Sequence, residues 1–111
     1  MATVYNLAVD QGTDFSTTID VNDDTGSARN LTGYTGRAQL RRSYHSVSNT
    51  SFTVTINNPS EGEIVISLSN AVTSNLKYGR YVYDVELVKT SDNTVERILE
   101  GIITVYPEVT K

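Results

Sequence analysis

The chain has 111 residues, a mass of 12.2 kDa and a formal net charge of -4, which suits one domain with one core. A pI near 4.8 argues against nucleic acid as a partner, because phosphate binding needs a basic face. The absence of Cys excludes disulfide frameworks and thiolate metal sites, and no apolar run is long enough for a membrane span or a signal peptide.

The local signal is β throughout. Thirteen Val, 15 Thr and 7 Tyr favour strands, and several windows alternate apolar and polar residues with a period of two. In chain order, Tyr5, Leu7 and Val9 give one face of a first strand. Asp10-Gln11-Gly12-Thr13 reads as a turn. Phe15, Thr17, Ile19 and Val21 give the inner face of a second strand. The stretch 22–26 carries hairpin-loop chemistry, with Gly26 available for positive φ. Tyr34, Ala38 and Leu40 alternate with Arg37, Gln39 and Arg41 in a third strand. Phe52, Val54 and Ile56 mark a fourth strand, a turn follows at 57–62, and Ile64, Ile66 and Leu68 mark a fifth.

Leu68, Val72 and Leu76 recur every four residues. They predict one to two helical turns crossing between sheets, capped by Ser69 or Asn70 and ended near Gly79. Tyr81, Tyr83, Val85 and Leu87 form a sixth strand, and 95–106 a seventh. Arg97 and Ile98 break the parity of the seventh strand, which predicts a bulge or twist there, with Gly101 a second candidate position. Seven short strands with regular turns predict an all-β, antiparallel two-sheet sandwich with one short helical turn, as a single domain over 1–111. Phe15, Ile19, Leu40, Val54, Ile66, Tyr83, Val85, Leu87 and Ile103 are its expected core.

Chemistry-bearing patterns are sparse. Asp20, Asn22 and Asp24 have alternating oxygen spacing, but Thr25 and Leu31 stand where a calcium loop needs Gly and Glu. His45 is the only His, too few for a zinc site and without a marked nucleophile or orienting carboxylate. Glu61 and Glu63 flank Gly62 as ordinary turn charges. The expectation is a non-enzyme with no catalytic, cofactor or metal residues.

The outward charges carry more information. Arg37 and Arg41 face Asp84 and Glu86 if the third and sixth strands are neighbours, giving cross-strand ion pairs. Tyr81 or Tyr83 should serve as a core Tyr bonded across the inter-sheet corner. The first strand has no Lys, Arg or Pro to guard an edge, and the 43–51 stretch is a Ser/Asn-rich loop with an aromatic ring. The candidate contact surface is therefore Tyr5, Tyr44, His45 and Asn49. Exposed rings at Tyr44, Tyr78 and Tyr106 would instead suit a glycan.

Asn30-Leu31-Thr32-Gly33-Tyr34-Thr35, Arg37-Ala38-Gln39-Leu40-Arg41 and Gly79-Arg80-Tyr81-Val82-Tyr83-Asp84-Val85-Glu86-Leu87 follow one another in a distinctive order. With Asn6-Leu7 to Gly12-Thr13-Asp14-Phe15 before them, Gly62-Glu63-Ile64 among them, and Leu99-Glu100-Gly101-Ile102-Ile103-Thr104-Val105 and Pro107-Glu108-Val109-Thr110 at the end, they make a likeness that spans nearly the whole chain. This set resembles the small immunoglobulin-like domains of tailed bacteriophages, and is similar to the N-terminal domain of baseplate upper proteins. The resemblance implies an immunoglobulin-like sandwich and a non-enzymatic structural protein of a tail or baseplate assembly. It implies location in the virion after assembly in the bacterial host cytoplasm, with other virion proteins as partners and no cofactor. Because the sequence stops at Lys111, where baseplate proteins of this kind continue, a capsid decoration role stays open. So does a module that holds host surface glycan.

Overall fold

The computed structural model describes residues 3–23, 25–43 and 49–109. Nine strands, one turn of α-helix and a 3-10 turn at Pro59–Glu61 appear among them. The strands and the α-helical turn are β1 (Thr3–Val4), β2 (Leu7–Asp10), β3 (Phe15–Asp20), β4 (Tyr34–Arg41), β5 (Thr50–Ser51), β6 (Thr53–Asn58), β7 (Glu63–Leu68), α1 (Asn70–Thr73), β8 (Gly79–Lys89) and β9 (Val95–Tyr106). One sheet runs β1-β9-β8-β4-β5, with β2 also on β9; the other runs β3-β7-β6. The alternation seen in the sequence faces the gap between the sheets. Leu40, Ile64, Ile66, Val85, Leu87, Ile103 and Val105 are buried there.

The seven apolar runs of the sequence become nine segments because two runs break. The first divides at Tyr5-Asn6 into β1 and β2. Both pair parallel to β9, so the sandwich is not wholly antiparallel as expected. The fourth run changes sheets. Thr50–Ser51 pairs with β4 in one sheet, and Thr53–Asn58 pairs with β7 in the other. Phe52 is the buried pivot, with ring centroids 6.5 Å from Phe15 and 6.2 Å from Tyr83. A large ring at the crossing point fills the corner where the strand leaves one sheet.

The long β8–β9 hairpin shows the predicted irregularity. Its register shifts between Val85 and Glu86, whose partners are Leu99 and Arg97, leaving Ile98 as the extra residue. One turn of helix crosses between the sheets as expected, but it spans only Asn70–Thr73 and its cap differs. Ser69 makes no side-chain bond; the Asn70 N–H instead donates to Asp14 Oδ1 at 2.8 Å. Thr73, fully buried, donates to the Thr13 carbonyl at 2.7 Å. The 10–14 turn and the helical turn are thus fastened to each other. Phe15, Ile19 and Val54, expected at the centre of the core, are half-buried at its margin. They lie on the two outer strands of the three-stranded sheet, where the covering layer ends.

Candidate interaction surface

Tyr5, read both as part of the apolar face of one continuous strand and as a contact residue, is 50% exposed. The register of β1 and β2 against β9 is the same on either side of the break, so Tyr5 falls opposite Gly101 and Asn6 opposite Ile102. The Ile102 N–H donates to the Asn6 side-chain oxygen at 3.0 Å, a side chain taking the acceptor role that backbone fills elsewhere in the ladder. The Tyr5 carbonyl accepts from the Tyr83 hydroxyl. Gly101 makes this possible, since a Cβ there would sit 2.2 Å from the Tyr5 oxygen. Tyr83 leans over that glycine from the next strand, its partner in register. Burial pushes the Tyr83 phenol up to about 12, with a smaller contribution from Tyr5, so it remains a donor at neutral pH.

Asn49 is exposed and precedes β5 at the opposite edge of the same sheet. Four inter-strand steps separate those edges, roughly 19 Å at the usual strand spacing. Tyr5 and Asn49 therefore belong to different surfaces. Tyr44 and His45 lie outside the described residues.

The outer face of the larger sheet carries the expected charges. Arg37 Nε meets Glu86 Oε1 at 2.7 Å between directly paired residues. Arg97 meets Glu100 at 3.0 Å. Asp84 stands opposite Gln39 on one side and Glu100 on the other. Burial, then the Glu86 charge, raises its carboxyl above the usual range against the pull of Arg97, Arg41 and Arg37. Toward β1 this face turns apolar. Val82 and Ile102 are partners in register, and Val4, 68% exposed, is the last strand residue before the break.

At one end of the sandwich, Gln11, Arg42, Lys77, Tyr78, Pro107 and Glu108 line an open recess of about 540 Å³. The Arg42 guanidinium stacks 4.4 Å from the Tyr81 ring centre and donates to the Tyr78 carbonyl at 2.9 Å. Tyr81 donates to the Lys77 carbonyl at 2.7 Å, the corner role anticipated for a core Tyr at the start of this strand. Tyr78 and Tyr106 are both exposed. Since Gly79 pairs with Val105, they occupy the next facing positions of adjacent strands. Sequence reasoning named both rings but not Arg42 or Gln11, whose roles depend on contacts 36 and 65 residues away.

Among the described residues, no group of three or more His, Asp and Glu is placed to hold a metal ion, and Asp24 of the acidic loop lies outside them. Asp23 accepts from Thr25 Oγ1 at 2.6 Å and from the Thr25 N–H at 2.9 Å, so its carboxylate organises its own turn. These bonds hold its pKa below the ordinary value.

No family model and no curated protein matches the chain. Among solved structures, InlP of Listeria monocytogenes superposes with a TM-score of 0.54 at 18% identity, covering 95% of this chain and 28% of that one. The NK cell receptor Nkp44 gives 0.48 at 13% identity, over 96% and 99% of the two chains. A family 123 glycoside hydrolase from Clostridium perfringens gives 0.44 at 14% identity, over 97% and 24%. Of these three, the first alone exceeds 0.5, and at its identity it bears on fold only. Two sheets ordered β1-β9-β8-β4-β5 and β3-β7-β6, a strand that changes sheets and a Tyr at the helical corner make the fold an immunoglobulin-like β-sandwich.

Proposed function

We propose that this protein is a non-enzymatic structural module of a phage-type particle, docking on a neighbouring virion protein through the β1–β2 edge. The observation that carries this reading is the apolar, unguarded character of that edge. Val4, Tyr5 and Ile102 are each exposed at or beside it, and residues 3–10 contain no Lys, Arg or Pro. Such edges are ordinarily blunted, and an unblunted one suits main-chain pairing with another subunit. The sequence resemblance to phage immunoglobulin-like domains supplies the class of partner. Particle location, whether tail, baseplate or capsid surface, follows from what that partner is.

The test is incorporation into particles. Deleting residues 1–4, or changing Val4 and Ile102 to Lys together, should lower copy number per particle while the melting temperature stays within a few degrees. Normal incorporation of both variants, with loss on charge reversal at Arg37, would move docking to the outer sheet face and overturn the edge assignment.

A second reading rests on Tyr78 and Tyr106, two exposed rings at one end beside the recess lined by Arg42, Gln11 and Glu108. Rings flanked by polar groups suit a saccharide face. Chemical-shift changes confined to Tyr78, Tyr106 and Gln11 on titration with host-surface oligosaccharides would favour it, and their absence would remove it.

A further inference from the structure

Strand β3 pairs with β7 on one side and, among the described residues, with no strand on the other. The Val21 N–H donates to the Gly62 carbonyl at 2.8 Å, which fixes the phase of this antiparallel ladder. Residues of odd number direct their main-chain groups at β7, so the N–H and C=O of Ser16, Thr18 and Asp20 point away from it. Residues 15–20 include no Lys, Arg or Pro, the usual guards of such an edge.

Beside this edge lies a cleft of about 550 Å³ between the two sheets, with Ile19 and Val21 on one wall and Thr3, Ile98 and Leu99 on the other. The bulge at Ile98 belongs to that second wall. On the β3 side the charge is acidic. Residues 1–28 contain five Asp and no Lys or Arg, and Asp20 stands opposite Glu63 in the ladder. The two cations on the cleft wall are already engaged, Arg29 by Glu96 at 2.8 Å and Arg97 by Glu100 at 3.0 Å.

We infer that the β3 edge is a second docking site, which takes an extended, basic segment of a partner protein as a fourth strand of the smaller sheet. Its main chain meets the outward groups of Ser16, Thr18 and Asp20. Alternate apolar side chains enter the cleft beside Ile19, and the intervening Lys or Arg side chains lie along the acidic outer face. Charge complementarity selects this occupant over a second copy of the chain. Pairing β3 with itself would leave Asp20 and Glu63 of both copies without a facing cation, since residues 15–20 hold none. The site is separate from the β1–β2 edge, and its occupancy does not depend on the partner being a virion protein.

The probe is a capped nonapeptide alternating Lys and Val, with a Glu and Val peptide as control. Amide exchange and chemical shifts are followed by NMR on the whole chain. The basic peptide should slow exchange at Ser16, Thr18 and Asp20 while leaving β1 and β2 unchanged, and binding should weaken about tenfold between low and near-molar salt. Thr18→Pro removes an outward donor without touching the β7 ladder and should abolish the protection. If that variant does not fold, Asp20→Lys provides the second arm. It should reduce binding of the basic peptide and improve binding of the acidic one. Equal binding of both peptides, protection at β1 and β2 instead of β3, or a β3-mediated dimer in the unliganded protein would each overturn the inference.

Discussion

Tyr83 does more than fill the core. Its hydroxyl satisfies the Tyr5 carbonyl at the one place where the parallel ladder is interrupted. Tyr83→Phe leaves the ring packing against Phe52 but removes that donor, at a cost of about 0.5–1.5 kcal/mol for the lost bond. Denaturant midpoints should shift accordingly, and amide exchange should accelerate first at the β1–β2 break. Gly101→Ala should cost more, because its Cβ would lie 2.2 Å from the Tyr5 oxygen and the Tyr5-Asn6 segment would have to move off β9, giving up the Tyr83 and Ile102 bonds together. If Gly101→Ala is as stable as the parent, the close approach is not what keeps a glycine there. Gly62 stands under a related constraint, with φ of 68° and a Cβ position 2.4 Å from the Val21 carbonyl. Bringing the 21–31 segment against the Pro59–Glu61 turn needs both the left-handed backbone and the missing side chain.

Elements are held mainly by contacts between them, and the one-turn helix is the clearest case. Four residues cannot sustain a helix on propensity alone. Its first free N–H is met by Asp14, and its buried Thr73 is tied to Thr13. Asp14→Ala should therefore destabilise the protein by about 0.5–2 kcal/mol, the range for losing a capping oxygen. Ser69→Ala, at the position that sequence would nominate, should be close to neutral because its side chain makes no cap bond. Thermal unfolding of the two variants decides between them, and equal losses would mean that Asp14 acts otherwise than as a cap. This pair also marks what the sequence could reveal. Period-two alternation located β3, β4, β7 and β8, because each turns one face inward and repeats the same side-chain direction, and in β9 the break in that alternation marked the bulge. The Arg37–Glu86 pair was legible for the same reason, since both residues lie on outward parity of strands that prove to be neighbours. Asp14 as a cap, Phe52 as a pivot and Asn6 as an acceptor for Ile102 were not legible. Each depends on a partner distant in the chain, and nothing in the local pattern distinguishes a strand that stays in its sheet from one that changes sheets. Parallel pairing of β1 and β2 is invisible for the same reason, because alternation specifies a face and not a neighbour.

At the scale of the whole molecule, acidity shapes the response to pH. Asp23, Asp92 and Glu96 all have lowered pKa values. Hydrogen bonds from Thr25 lower Asp23, those from Thr94 lower Asp92, and the Arg29 pair lowers Glu96. A carboxylate lowered in the folded state binds fewer protons there than in the unfolded chain. Its contribution is present above its unfolded value, near 4, and is lost as pH falls through the folded one. Asp84 has the opposite sign. Its raised pKa means that the folded protein binds a proton more readily than the unfolded chain, so ionised Asp84 opposes folding at neutral pH. Lowering pH through the folded value relieves that opposition before the other three groups begin to titrate. Stability should thus hold or rise slightly as pH falls into the ordinary carboxylate range, then drop as pH falls through the lowered values of the other three groups. Asp84→Asn should stabilise the protein at pH 7 by about 0.2–1 kcal/mol, a modest figure because the group is partly solvated and has arginines nearby. In that variant the slight rise on acidification should disappear while the acid limb stays unchanged. Urea titrations of parent and variant at several pH values would measure this. A variant less stable than the parent at pH 7 would mean that the ring of Arg37, Arg41 and Arg97 outweighs the burial of Asp84 and the repulsion from Glu86. The outer face would then be held together by that carboxylate instead of strained by it.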